Sequence, residues 1–180
     1  KQYSPKRIQA HISSLKNQRI LPGEAIEFAQ SFFDVKVAEI YSSYQKKLML
    51  ANSMDFDDLL IKAVELLETS DKSLNYWSSK FQYIMIDEYQ DTNMVQYRLV
   101  ELLASKHKNI CVVGDSDQSI YAFRGADIRN IEEFESDFKD AKVISLDKNY
   151  RSSQKILEIA NAVISNNPRK KDKKLWTDND

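Results

Sequence analysis

FQYIMIDEYQDTN (81–93) and NICVVGDSDQSIYAFRG (109–125) hold two short apolar runs, each ending abruptly in acids and amides. In the first, Tyr83, Ile84, Met85 and Ile86 read as a strand buried on both faces, because four consecutive apolar residues leave no side for water. Asp87 and Glu88 stand at its carboxyl end. The second run, Ile110, Cys111, Val112 and Val113, delivers Gly114, Asp115, Asp117 and Gln118 to the same kind of position. Between the two, Asp91-Thr92-Asn93 reads as the cap of a helix over 94–105 with Val95, Leu99, Leu102 and Leu103 on one face. Strand, helix and strand at this spacing make a parallel crossover unit, so the fold class is α/β. Open α/β sheets bind ligands beyond the carboxyl ends of their strands, which aims both acidic clusters at a phosphate and its metal.

Working outward, 180 residues and 42% apolar content suit one domain, or two small ones, with a real core. Only three glycines occur, Gly23, Gly114 and Gly125, and no stretch matches G-x-x-x-x-G-K-[ST], so the chain carries no phosphate-cradling loop of its own. The single cysteine, Cys111, reads as core; it excludes a disulfide framework, argues against zinc and suits a reducing, cytoplasmic setting. No apolar run approaches the roughly 20 residues that span a bilayer, and no signal-peptide pattern is present, so no membrane association is expected. Lys1 in place of Met points to a longer parent.

The net charge of -1 is unevenly spread. Residues 1–23 carry Lys1, Lys6, Arg7, Lys16 and Arg19 with no acid; 168–174 carries Arg169, Lys170, Lys171, Lys173 and Lys174 against Asp172; the middle is acidic. The basic ends either track a nucleic-acid backbone or are solvated helix faces and a polar tail.

Ser4-Pro5 reads as a helix start and Leu21-Pro22-Gly23 as a turn. The stretch 24–52 lacks further Pro or Gly, and Phe33, Val37, Ile40, Tyr44 and Leu48 recur at helical spacing, predicting one long helix with core aromatics. Asp55, Asp57 and Asp58 open another helix, where capping is the plain reading of the acids. An aromatic helix over 74–80 leads into the first strand. After the second come a helix over 128–138, a third strand over 142–146, and a last helix over 154–165 capped by Ser152 or Ser153.

An Asp-Glu pair at a strand end suits nucleotide hydrolysis: one carboxylate holds Mg²⁺ and its neighbour orients the attacking water. Gln118 offers a neutral amide that can bond a terminal phosphate and sense its presence; alternatively Asp115 and Gln118 only build a turn and a cap. Tyr121 and Phe123 beside Arg124 either stack unpaired bases or belong to the core. Tyr150 and Arg151 offer an adenine platform and a counter-charge for a transferred phosphoryl group, or else a packed ring and a structural salt bridge.

The order of these segments carries a resemblance. DEYQDTN (87–93), VGDSDQSIY (113–121), FRGAD (123–127) and NYRS (149–152) resemble four consecutive motifs of the UvrD/Rep/PcrA-type superfamily 1 DNA helicases, nearest the bacterial PcrA branch. DFDDLL (55–60) and KLWT (174–177) are similar to further family segments. The resemblance implies that Asp87 binds Mg²⁺, Glu88 is the general base, Gln118 contacts the γ-phosphate of ATP, Arg151 stabilises the transition state and Tyr150 stacks on adenine. Tyr121, Phe123 and Arg124 would couple that chemistry to single-stranded DNA. Phe123 stands where many relatives have Trp, and Ser116 where many have Asp.

The implied fold is part of a RecA-like P-loop NTPase parallel sheet with a mainly helical N-terminal insertion subdomain. Residues 1–80 would be the end of helical domain 1B, with a boundary near 55 as the alternative. Residues 81–147 would be the second half of domain 1A, and 148–180 the start of domain 2A. The expected parent is a 3′–5′ helicase of DNA repair and replication acting on single-stranded and duplex DNA, with the fragment inactive alone and prone to self-association through an exposed sheet edge. A nucleic-acid- or protein-binding module without nucleotide hydrolysis is the competing class.

Overall fold

Ile84–Ile86 (β1) and Ile110–Val112 (β2) pair in parallel, with Ile84 against Ile110, Met85 against Cys111 and Ile86 against Val112. The structure is a computed structural model and describes residues 3–167 and 174–179, the side chain of Arg124 excepted. Between the strands runs α5 (Met94–Ala104), as the crossover reading expects.

The strands are not buried on both faces. Ile84, Ile86, Ile110 and Val112 are half-buried, but Met85 is 78% exposed, and Tyr83 and Cys111 are exposed with it. The core assignment of Cys111 is therefore corrected. An unbroken apolar run fixes strand propensity; whether a second layer covers the other face is a tertiary matter. The strand expected over 142–146 does not form either. Val143, Ile144 and Leu146 are exposed, and among the described residues the nearest pairing is a single parallel bridge from Lys148 to Trp176. A strand exists only with a ladder partner, and this segment has none among the described residues. The fold is thus mixed helix and sheet, with a two-stranded parallel sheet among the described residues.

The chain divides into two compact units, Lys1–Glu133 and Phe134–Asp180. In the first, Ser4 caps α1 (Pro5–Asn17) by accepting from the Arg7 amide at 3.4 Å, and Pro5 takes the first helical position. The long helix expected over 24–52 begins later, as α2 (Phe32–Leu50). Ser31 accepts from the Asp34 amide at 3.2 Å, and the Asp34 carboxylate accepts from the Gln30 amide at 3.2 Å; this local cap starts the helix where side-chain periodicity could not. Ahead of it the Leu21 carbonyl accepts from Glu24 and Ala25, closing the turn at Pro22-Gly23. Ile12, Ile20, Ala25, Phe33, Val37, Ala38 and Tyr41 form the core between α1 and α2.

A second core joins α3 (Phe56–Thr69), α4 (Asp71–Lys80) and α5: Val64, Leu67, Val95 and Leu102 are buried, with Leu74, Trp77, Leu99 and Leu103 against them. The acids at the start of α3 do cap it, in a reciprocal box between Asp55 and Asp58. They also do more. The ammonium of Lys16, fully buried, donates to Asp55 Oδ2 at 2.7 Å and Asp58 Oδ1 at 2.8 Å, while Tyr44 Oη donates to Asp55 and Gln45 Nε2 to Asp58. Burial pushes the Tyr44 phenol up to about 12. Burial also acts to raise Asp55, but the bonds from Lys16, the Asp58 amide and Tyr44 outweigh it and hold its carboxyl below the usual range. Arg19 pairs with Glu68 at 2.8 Å, and the Arg7 guanidinium lies 4.5 Å from the Phe33 ring centroid. The basic residues of 1–23 thus serve the fold in part; those of 168–173 lie outside the described residues.

The helix expected over 128–138 is broken at Glu133 into α6 (Arg129–Glu132) and α7 (Phe134–Asp137), at the division between the units. In the second unit, α8 (Gln154–Ile164) follows Ser153 and buries Leu157, and Asn161 Nδ2 donates to the Leu175 carbonyl at 3.0 Å. Among the described residues no helix is long and apolar enough to cross a membrane.

Candidate functional site

Where β1 ends, the chain turns sharply. The Glu88 amide donates to Asp87 Oδ1 at 3.0 Å, and Glu88 itself sits at φ 52, ψ 42, the left-handed region that costs a non-glycine residue about 1–3 kcal/mol. Neighbouring bonds hold it there: the Tyr89 amide donates to the Val113 carbonyl at 3.0 Å and the Asp91 amide to the Glu88 carbonyl at 2.9 Å. Both carboxylates, Asp87 and Glu88, are exposed at this turn.

The end of β2 lies beside it. The Val113 amide donates to the Ile86 carbonyl at 2.8 Å. Asp115 then builds the turn that sequence offered as the plain reading: Oδ1 accepts from the Asp117 amide and Oδ2 from Gln118 Nε2, both at 3.0 Å. Gln118 is exposed on this turn. Gln90 joins the two loops, its Nε2 donating to Glu88 Oε2 at 2.7 Å and its Oε1 accepting from the Asp115 amide at 3.0 Å.

The remainder of 87–93 faces inward. Thr92 O accepts from the Asp127 amide and from Asn130 Nδ2, at 2.9 and 3.0 Å. Asn93 caps α5 in a box with Gln96 and donates to Asn17 Oδ1 on α1 at 2.7 Å. Gly125, at φ 87, brings the backbone so near α1 that a Cβ there would lie 2.9 Å from Asn17 Cβ. Seven consecutive residues thus present two acids outward and tie β1, β2, α1, α5 and the 125–130 segment together.

Phe123 is 77% exposed, with its ring 5.8 Å from that of Tyr121 at 40°. The core reading is therefore wrong for Phe123, whose ring lies at the surface. The Arg124 side chain lies outside the described residues. In the second unit Tyr150 is exposed, with Lys148 Nζ 5.4 Å from its ring centroid, so the packed-ring reading fails there too. Asn149 Oδ1 accepts from the amides of Arg151 and Ser152 at 2.9 and 2.7 Å, and Arg151 forms no ion pair among the described residues.

No cluster of three or more His, Cys, Asp or Glu able to hold a metal occurs among the described residues. One exposed carboxylate, Asp87, nonetheless fits Mg²⁺, which takes one or two protein carboxylates and completes its shell with water and substrate phosphates.

The sequence model of the UvrD/REP helicase N-terminal domain matches residues 1–139. The chain belongs to the UvrD/REP helicase family. It is 50% identical over 180 residues to the ATP-dependent DNA helicase PcrA of Bacillus subtilis (strain 168), covering all of this chain and 24% of that protein. It is 51% identical over 179 residues to PcrA of Staphylococcus aureus (strain Mu50), again 24% of the relative, and 50% identical to PcrA of Staphylococcus epidermidis, 25% of it. The chain therefore spans about a quarter of the length of these relatives.

In this UvrD/REP-family chain the motifs mark chemistry at the acids but none at Gln90, Asn17 or Asn130. Gln90 was visible as the fourth letter of DEYQDTN. Nothing local marks it as buried, because the loop that its Oε1 reaches, at Asp115, is 25 positions away. Asn17 and Asn130 carry no sequence signal at all, since their partners lie on other elements.

Proposed function

We propose that these 180 residues are an internal part of an ATP-dependent 3′–5′ DNA helicase and translocase of DNA repair and replication, working in the cytoplasm on single-stranded and duplex DNA. The observation that carries this is the pair of strand-end loops held side by side, with Glu88 fixed in a left-handed turn next to the loop that bears Gln118. The PcrA relatives, ATP-dependent DNA helicases, point the same way.

Glu88 takes the proton of the attacking water, Gln118 bonds the γ-phosphate, Arg151 offsets the growing charge and Tyr150 stacks on adenine. Asp87 would hold Mg²⁺, whose charge would neutralise the phosphate oxygens. Tyr121, Phe123 and Arg124 hold unpaired bases. Residues 81–147 belong to the second half of a RecA-like domain 1A and 148–180 to the start of 2A. For the helical 1B-like part, the core shared by α3, α4 and α5 favours the boundary near 55 over the one at 80. With no phosphate-cradling loop among its residues, the 180-residue chain alone turns over no ATP. Its two strands, each with one side unpaired among the described residues, favour association with a second copy.

The test is Glu88→Gln in the full-length helicase. Loss of a general base lowers the hydrolysis rate by roughly 10²–10⁴-fold, with ATP still bound; hydrolysis at the parent rate would sink the assignment. A binding module without hydrolysis is the second reading, favoured by the exposed Phe123 ring, which needs no nucleotide to stack a base. DNA affinity of the full-length protein that ignores ATP, together with an absence of turnover, would decide for it.

A further inference from the structure

Gln90 is buried to 1% exposure, and both ends of its carboxamide are engaged. The orientation of that amide follows from chemistry. The Asp115 backbone N–H can only donate, so Oε1 must face it; the NH₂ group is thereby turned to the Glu88 carboxylate, which can only accept when ionised. The Gln90 carbonyl also accepts from Ser119 Oγ at 3.3 Å, so main chain and side chain both grip the loop after β2. Gly114 belongs to the same arrangement: a Cβ there would lie 2.4 Å from Gln90 Oε1 and 2.8 Å from Ile131 Cδ1. Without a side chain at 114, the amide has room to cross between the loops.

We propose that Gln90 is a positioning residue: its amide fixes the exposed Glu88 carboxylate to the backbone of the loop carrying Gln118, so that the base and the γ-phosphate contact are held as one rigid piece. The proposal rests on the reading of Glu88 as general base. An exposed glutamate otherwise samples many rotamers, and a base that wanders spends little time aligned with its water. Leucine at 90 would fill the volume and remove both bonds. Glutamate would keep the shape and the acceptor for Asp115, but would set a second carboxylate against Glu88.

Gln90→Leu and Gln90→Glu are compared in the full-length helicase by single-turnover ATP hydrolysis, by binding of a non-hydrolysable ATP analogue and by amide exchange at Asp115 in the nucleotide-free protein. Gln90→Leu is expected to lower the hydrolysis rate roughly 10–100-fold, as loss of a residue that orients a functional group does. KM and analogue affinity stay within about twofold, since ground-state binding is untouched. Exchange at Asp115 accelerates in Gln90→Leu and stays slow in Gln90→Glu, although Gln90→Glu also loses hydrolysis. In a Glu88→Gln background, Gln90→Leu costs nothing further.

A parent-like rate in Gln90→Leu overturns the proposal, as does an equal loss with or without Glu88, which would mark a purely structural role. If Gln90→Leu does not fold, Gln90→Glu decides, and parent-like hydrolysis there overturns the proposal as well. Should Glu88→Gln alone keep full hydrolysis, the general-base reading is what fails, and this inference falls with it.

Discussion

Glycine at 114 is required by space. A Cβ would meet Gln90 Oε1 at 2.4 Å, Ile131 at 2.8 Å and the Tyr89 amide nitrogen at 3.1 Å, two of them on the stretch that carries the acids. Gly114→Ala should therefore destabilise the protein by about 1–3 kcal/mol through overpacking. Chemical denaturation reads that loss, and faster exchange at the Asp115 amide shows that Gln90 has been displaced; unchanged stability and exchange would mean the amide has another place to go. At the same scale, Phe123→Ala removes an exposed ring to which the proposed function assigns base stacking, worth about 1–3 kcal/mol per base. The affinity of the full-length protein for single-stranded DNA should fall accordingly, and an unchanged affinity would take Phe123 out of the DNA site.

At the scale of elements, the junction of α1, α2 and α3 depends on one buried cation. Lys16 sits between Asp55 and Asp58, and its removal leaves two carboxylates without a counter-charge. Lys16→Met should cost about 3–5 kcal/mol, the usual penalty for orphaning a buried charge; a denaturation midpoint close to the parent's would show that water reaches the acids. The same junction sets an acid limit. Because the folded Asp55 carboxyl lies below its ordinary value, its contribution is fully present above the unfolded pKa of about 3.9 and is lost as pH falls through the lower folded value. Glu68, held down chiefly by its bond from Arg98 and further by Arg19, adds to the same trend. Stability should thus be flat near neutrality and decline below about pH 4, which a pH series of thermal melts measures; a decline starting near pH 6 would point to other groups.

At the scale of the whole molecule, the sheet face bearing Tyr83, Met85 and Cys111 is open to solvent. Two strands, each with one side unpaired among the described residues, present both backbone donors and apolar surface. The 180-residue chain should therefore show mass rising with concentration in light scattering or sedimentation; a clean monomer at high concentration would count against such pairing.

The sequence alone determined what depends on near neighbours. The strands at 84–86 and 110–112, the crossover helix capped by Asn93, the helix started by Ser4-Pro5 and the acid cap at Asp55 were all legible, because propensity, periodicity and capping act within a few residues. The order of the motifs likewise identified the family, and the acids at the strand ends were visible as chemistry. Tertiary structure decided what depends on distant partners. The late start of α2 belongs to neither class: its cap at Ser31 is local, yet the apolar period of 24–52 masks it in the sequence. The missing strand over 142–146, the exposure of Cys111, the burial of Lys16 and the span of Gln90 from Glu88 to Asp115 each depend on whether a group far along the chain comes within bonding distance. A sequence states which residues are able to pair or be covered; only the packed chain settles which of them are.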